Sequence, residues 1–220
     1  MPSFDTIAGA YERLERLTFA GSLQAARFSC LDHVKACEFG LLIGDGDGRF
    51  SSELLQQNPS IKLDSIDISP RMLELAQARS GPNAARLTTI NANAIEFSYP
   101  KNSYDFIGLH FCLDCFTQSE ISRLLPRLEN ALKPGGIIAY SDFQSQNTWH
   151  RVAIRLLYLS FKLVAGLKTQ NLPQVEWSEQ LKPIEEKQFL GGLVFSKLLR
   201  KKEAQPTFTA AALEIHSKTR

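Results

Sequence analysis

The stretch Phe39-Gly-Leu-Leu-Ile-Gly-Asp-Gly-Asp-Gly-Arg-Phe50 constrains the fold more than any other part of the chain. An apolar run (Phe39, Leu41, Leu42, Ile43) stops at the alternate glycines Gly44, Gly46 and Gly48, and the spacing that follows predicts a helix over 50–57. The pattern reads as strand, tight turn, helix. Glycine suits such a turn because the backbone bends sharply and a ligand can approach it closely where no Cβ intervenes. The unpaired N–H groups that open the helix then face whatever occupies the turn.

Spacing narrows what that ligand can be. A dinucleotide fingerprint, G-x-G-x-x-G, would need glycine at position 49, where Arg49 stands. Asp45 and Asp47 would also repel a pyrophosphate carrying about two negative charges, whereas they tolerate an ammonium or a sulfonium. Asp45-x-Asp47 opens like a calcium loop, but that loop needs glycine at 50 and an acid at 56. Phe50 and Gln56 exclude it.

Further along, a second strand over 61–66 ends in Asp67-Ile68-Ser69-Pro70-Arg71-Met72-Leu73. Asp67 follows the glycines by about the 20 residues expected of a ribose-binding carboxylate, and the end of a second strand lies beside the end of the first. The alternative is that it caps the next helix, a task Ser69 before Pro70 fits better. A third strand over 86–90 leads into Asn91-Ala-Asn-Ala-Ile95, and a fourth over 104–110 into Phe111-Cys-Leu-Asp-Cys-Phe-Thr117. Ile121, Leu124, Leu125, Leu128 and Leu132 recur at helical spacing, with Pro126 expected to start a new turn or kink the helix. Leu132-Lys-Pro-Gly-Gly136 reads as a helix stop and reversal before a fifth strand over 137–143. Residues 187–190 and 193–199 alternate about Gly191-Gly192 as a closing antiparallel hairpin would.

Taken in order, these strings resemble the class I S-adenosylmethionine-dependent methyltransferases. The first motif of that family runs hydrophobic strand, acid, x, Gly-x-Gly-x-Gly; "D-I-S-P-R-M-L", "Y-D-x-I" and "L-K-P-G-G" resemble later ones. Near the start, Phe4-Asp5-x-Ile7-Ala8-x-x-Tyr11 resembles the ubiquinone and menaquinone C-methyltransferases. The resemblance implies an α/β, Rossmann-like, seven-stranded and mostly parallel sheet with helices on both faces, one antiparallel strand and a helical insertion after strand 5. It implies S-adenosylmethionine as cofactor, held by Gly44, Asp45, Gly46, Gly48 and Asp67. Ile68 and Met72 would flank the adenine, Asn93 and Ala94 would meet its amino group, and His110 and Phe111 would lie under the sulfonium. Leu42 stands where the family places an acid for the methionine amine, so Asp45 or Asp47 must substitute. Asn93 has the alternative of a plain turn residue, and Tyr11, a site wall if the first segment folds over the cofactor, that of simple packing. If the acceptor must lose a proton, His110, Asp114, His150 and Tyr11 are the candidate bases in that order, an unperturbed histidine titrating near about 6.5. A purely structural role for His110 stands beside that reading.

Composition bounds the rest. A net charge of +2 and a pI near 8.3 give no electrostatic case for nucleic acid. The first residues show no basic segment followed by an apolar one, which predicts a cytoplasmic protein. Cys112-x-x-Cys115 has no second half-site for zinc in Cys30 and Cys37, so no metal is expected; a redox pair would open a helix, and apolar cysteines fit better. Residues 148–168 are the most apolar stretch, but Arg151, Arg155 and Lys162 argue against a membrane span. A buried helix, a lid over an apolar substrate and a membrane-surface helix remain, the expectation being a lid that shares the core, with Trp149, His150, Tyr158 and Phe161. No repeat or linker interrupts the chain. One domain is expected over 1–220: N-terminal helices over 1–36, the cofactor core over 37–147, the insertion over 148–185, strands over 186–200 and a tail over 201–220. The expected activity is C- or O-methylation of a small aromatic or lipid-like acceptor by a monomer or homodimer, with peripheral membrane contact left open. A cofactor-binding protein without methyl transfer is the first rival, and a nicotinamide-dependent reductase, disfavoured by Arg49 and the loop aspartates, is the second.

Overall fold

The computed structural model describes residues 21–155 and 172–203. The expectations placed on Tyr11, Tyr158, Phe161 and the tail from 204 onward lie outside those residues. In chain order the elements are α1 (Ser22–Phe28), β1 (Phe39–Ile43), α2 (Arg49–Gln57), β2 (Lys62–Asp67), α3 (Pro70–Ser80) and β3 (Leu87–Asn91). There follow β4 (Tyr104–His110), α4 (Gln118–Ala131), β5 (Leu132–Phe143), helical residues 148–155, β6 (Leu181–Phe189) and β7 (Val194–Lys201).

The seven strands form one sheet in the order β3-β2-β1-β4-β5-β7-β6. Strands β1 to β5 pair in parallel, and β7 runs antiparallel to both β5 and β6. Strand order reverses between β1 and β4, and in open α/β sheets ligands bind outside the strand ends at that point. Strand β1 is buried on both faces, as a central parallel strand must be. Leu41 and Ile43 join the α4 side of the core with Ile107, Leu109 and Leu124; Leu42 faces the other side with Phe50, Leu54 and Phe106. Fully burying a side chain such as Phe50 contributes roughly 1.5–3 kcal/mol.

Local signals explain most of the boundaries. Ser69 Oγ accepts the Met72 amide at 3.1 Å with Pro70 just inside the helix, so α3 has its own cap. Thr117 and Glu120 cap α4 reciprocally. Against expectation, α4 continues through Pro126 as a single helix. Pro126 lies on the solvent face, so the carbonyl that lacks its N–H donor has water available. Strand β5 begins at Leu132, earlier than expected; its pairing with β4 shifts between Tyr104 and Phe106, and Gly135 turns at φ 77°. Strand β6 likewise begins at Leu181, within the stretch the sequence assigned to the insertion.

Candidate active site

A cleft of about 880 Å³, counted to its open mouth, lies at the reversal point between β1 and β4. Its floor is the turn after β1. Gly46 has φ 63°, and a Cβ built there would meet nothing within 4 Å among the described residues, so the turn presents bare backbone to the cleft. Gly48 behaves differently. At φ 79° its Cβ would lie 2.4 Å from the Ala76 Cα, and Gly48 does not line the cleft: it lets α2 cross closely over α3.

The two loop aspartates have separate roles. Asp47 is only 4% exposed and bonds the Arg49 Nε at 3.0 Å and an Arg79 guanidinium nitrogen at 2.7 Å, which commits its carboxylate. Asp45 lines the cleft, accepts the Ser51 amide at 3.1 Å, and is pushed up to about 6 by burial, against the lowering effect of Ser51 and of the Arg27 charge. Of the two residues able to replace the acid missing at Leu42, Asp45 therefore faces the cleft uncommitted to an ion pair of this kind. Leu42 itself is 1% exposed and packs in the α2 side of the core.

On the β2 side, Asp67 accepts the Ser69 amide at 2.9 Å, and the Asn91 side chain fastens the backbone carbonyls of Asp67 and Ile68 at 3.1 and 3.0 Å. Because Ser69 caps α3, Asp67 is not needed for that purpose. Ile68, Met72, Ala92 and Ala94 add an apolar wall. Asn93 does not line the cleft; its side chain closes the local turn by accepting the Ile95 amide at 3.0 Å.

The far wall comes from the end of β4. His110 Nδ1 lies 3.1 Å from the Ser141 hydroxyl, which also donates to the Ala26 carbonyl at 3.3 Å, and its ring packs 4.4 Å from Phe50. Nε2 is enclosed and has no hydrogen-bond partner among the described residues. Burial, and secondarily the Arg27 charge, push the imidazole down to about 3, so it is neutral near pH 7. Phe111 follows at φ 54°, an uncommon backbone for a bulky residue, held by its amide on the Ser141 carbonyl, its ring on Phe143 and the Arg27 guanidinium 5.0 Å above it. Arg27, from α1, is 8% exposed and completes this end of the cleft.

Residues 41–136 match the family described as methyltransferase domain. Over those residues, 41–136, the chain carries the pattern of a methyltransferase domain. The chain is similar to the demethylmenaquinone methyltransferase of Deinococcus radiodurans, 26% identical over 64% of this chain and 58% of the relative. It is also similar to malonyl-(acyl-carrier protein) O-methyltransferase 1 of Ilyobacter polytropus, 29% identical over 66% of this chain and 48% of the relative. The chain thus spans between 48% and 58% of the length of these two relatives. In fold it resembles the N-methyltransferase NodS of Bradyrhizobium japonicum WM9, solved in complex with S-adenosylhomocysteine: TM-score 0.61, 17% identity, 82% of this chain and 88% of that one.

Within the methyltransferase domain, the cleft brings together Gly44, Asp45, Gly46, Asp67, Ile68, Met72, Ala94, His110 and Phe111. Asp114 and His150 do not line it. Asp114 is buried behind the wall, accepting the Cys115 thiol at 3.7 Å, and burial pushes it up to about 6. His150, 1% exposed, takes the Gln146 amide on Nδ1 at 3.2 Å and has Asn147 Nδ2 3.3 Å from Nε2, so both ring nitrogens face its own loop. Sequence reading left out Arg27, Cys112, Cys115 and Phe116 as cleft walls. Arg27 had a signal: it follows Leu23 by one helical turn, on the flank of an apolar stripe. Burial raises both thiols well above their usual range, which makes them apolar walls and poor nucleophiles.

The buried imidazole of this methyltransferase domain makes a pH prediction. Its folded pKa, about 3, lies below the unfolded value near about 6.5, so the unfolded state binds the proton first. That stability is present above about pH 6.5 and is lost as pH falls below it, by about 1.4 kcal/mol per pH unit. The unfolding free energy of wild type minus that of His110→Gln should fall with this slope between about pH 6.5 and 5 in urea titrations. A constant difference would show that His110 accepts the proton in the folded state.

Proposed function

We propose that this chain is an S-adenosylmethionine-dependent methyltransferase whose acceptor is a small aromatic or apolar molecule methylated on carbon or oxygen. One observation carries the cofactor assignment: a bare glycine turn at Gly46, the Asp67 carboxylate and the apolar wall of Ile68, Met72 and Ala94 line a single cleft at the strand-order reversal. These residues fit the group. Asp67 offers its carboxylate to the ribose hydroxyls, and the apolar wall takes the adenine. Asp45 and Arg27, an anion and a cation in the same cleft, suit the ammonium and carboxylate of the methionine end. When bound, the cofactor supplies a methyl group activated by a sulfonium.

What the chain's own residues then do is mainly alignment and exclusion of water. Phe111 and Phe116 provide aromatic walls, and support for an aromatic acceptor also comes from the demethylmenaquinone methyltransferase among the relatives. Where the acceptor must lose a proton, His110 lines the cleft and is neutral, so it is the first candidate, and Asp114, buried behind the wall, would have to act through a group that lines it. Incubation with labelled cofactor and a panel of phenols and quinols should yield a methylated product. Cofactor binding without turnover on any acceptor would favour the non-transferring rival. Turnover unchanged in both His110→Ala and Asp114→Ala would remove these two as bases.

The Asp45 carboxyl adds a second prediction. A ligand ammonium prefers the ionised form, so affinity should be full above about pH 6 and fall as pH drops below it, approaching about tenfold per unit. Asp45→Asn should flatten that dependence in calorimetric titrations at several pH values.

A further inference from the structure

Helical residues 148–155 carry an exposed face that the cleft does not use. His150 and Ile154 are buried, and Ile154 belongs to the same core cluster as Phe143, on which the cleft-lining Phe111 ring packs. The opposite face shows Trp149, 65% exposed, and Val152, 49% exposed, one helical turn apart. Trp149 is the most exposed large apolar side chain among the described residues. Arg151 and Arg155 are exposed beside them.

The sequence that contains this helix is one-sided in charge. From Phe143 to Val175 the sequence contains Arg151, Arg155, Lys162 and Lys168 and no aspartate or glutamate, which leaves the rest of the chain with 21 basic residues against 23 acidic ones. An exposed indole with flanking arginines suits the boundary between lipid headgroups and acyl chains, where the ring is half-immersed and the cations meet phosphates. We propose that the exposed face of residues 148–155, centred on Trp149, Val152, Arg151 and Arg155, docks on an anionic phospholipid surface. The inner face of the same helix shares its core cluster with Phe111, so docking of the outer face would place that end of the cleft near acceptors dissolved in the membrane. This deepens the acceptor assignment and rests on it for its purpose, but the docking itself is measured without turnover.

The test is co-sedimentation of the full chain with vesicles of phosphatidylcholine alone and of phosphatidylcholine mixed with phosphatidylglycerol. Wild type should pellet with the mixed vesicles and little with the neutral ones, and added salt should weaken the binding. Arg151→Gln with Arg155→Gln should weaken it by about 30-fold, and Trp149→Ser with Val152→Ser should reduce it on the same vesicles. An unchanged thermal midpoint in both variants establishes that they are folded. Wild type remaining in the supernatant, or variants that bind as tightly as wild type, would overturn the proposal. So would light scattering that shows a dimer dissolved by Trp149→Ser with Val152→Ser, since a second copy would then cover this face. Loss of methyl transfer with vesicle binding intact would count against the catalytic assignment alone.

Discussion

Asp67→Ala is expected to weaken binding of S-adenosylmethionine and S-adenosylhomocysteine alike by about 100-fold, or about 2.7 kcal/mol, within the range for hydrogen bonds to a charged group. Asp67 sits at the end of β2, beside the end of β1, with its backbone carbonyl fastened by Asn91 and its carboxylate partly engaged by the Ser69 amide. Both ligands share the ribose, so a loss confined to one of them would contradict the assignment. Asp67→Asn keeps the shape and one acceptor oxygen, and should lose less. Neither change should unfold the domain, because Ser69 caps α3 independently.

Gly48→Ala is expected to destabilise the fold by about 2–4 kcal/mol, combining the cost of a left-handed backbone with overpacking. The Cβ would enter at 2.4 Å from the Ala76 Cα, a backbone atom of α3 that cannot move without shifting the helix. The thermal midpoint should drop by about 5–15 °C for a domain of this size. Gly46→Ala should show the opposite pattern. Its Cβ meets nothing within 4 Å among the described residues, so only the strain of φ 63° is added, about 1–2 kcal/mol, while the methyl projects into the cleft and cofactor affinity falls. Equal loss of stability at both positions would mean that the turn has been assigned the wrong division of labour.

That division was not readable from the residues alone. Alternate glycines identify a turn, but only the crossing of α3 over Gly48 distinguishes a packing glycine from a ligand-facing one. The same limit applies to Asp47: Arg49 is adjacent in sequence, whereas Arg79, its second partner, arrives from the far end of α3. Asn93 was equally ambiguous, since its side chain serves either a ligand or its own turn, and here it bonds the Ile95 amide.

What was legible followed from burial. Strand β4 has the predicted limits, Tyr104–His110, because a central strand buried on both faces writes a mainly apolar run, here Phe106–Leu109 between Asp105 and His110. The first part of β6 went unread for the complementary reason. It is an edge strand whose residues Lys182-Pro-Ile-Glu-Glu-Lys187 are mostly exposed, so little core contact imposes an alternating pattern, and the ladder with β7 alone defines it. Pro126 illustrates the same point in a helix: the sequence shows a breaker, and exposure decides that the helix tolerates it. Arg27 belongs to the cleft because α1 packs against β6 and β7 and is bonded by Ser141 of β5, which brings the guanidinium over Phe111, a long-range fact whose trace in the sequence is an arginine beside an apolar stripe.

Calorimetric titration of the wild-type chain with S-adenosylmethionine, S-adenosylhomocysteine and reduced nicotinamide dinucleotide addresses the central claim most directly. Saturable binding of both sulfur ligands at one site, with no heat from the nicotinamide, is the predicted result. Absence of binding by either sulfur ligand, or binding of the nicotinamide in their place, would contradict the assignment of the cleft.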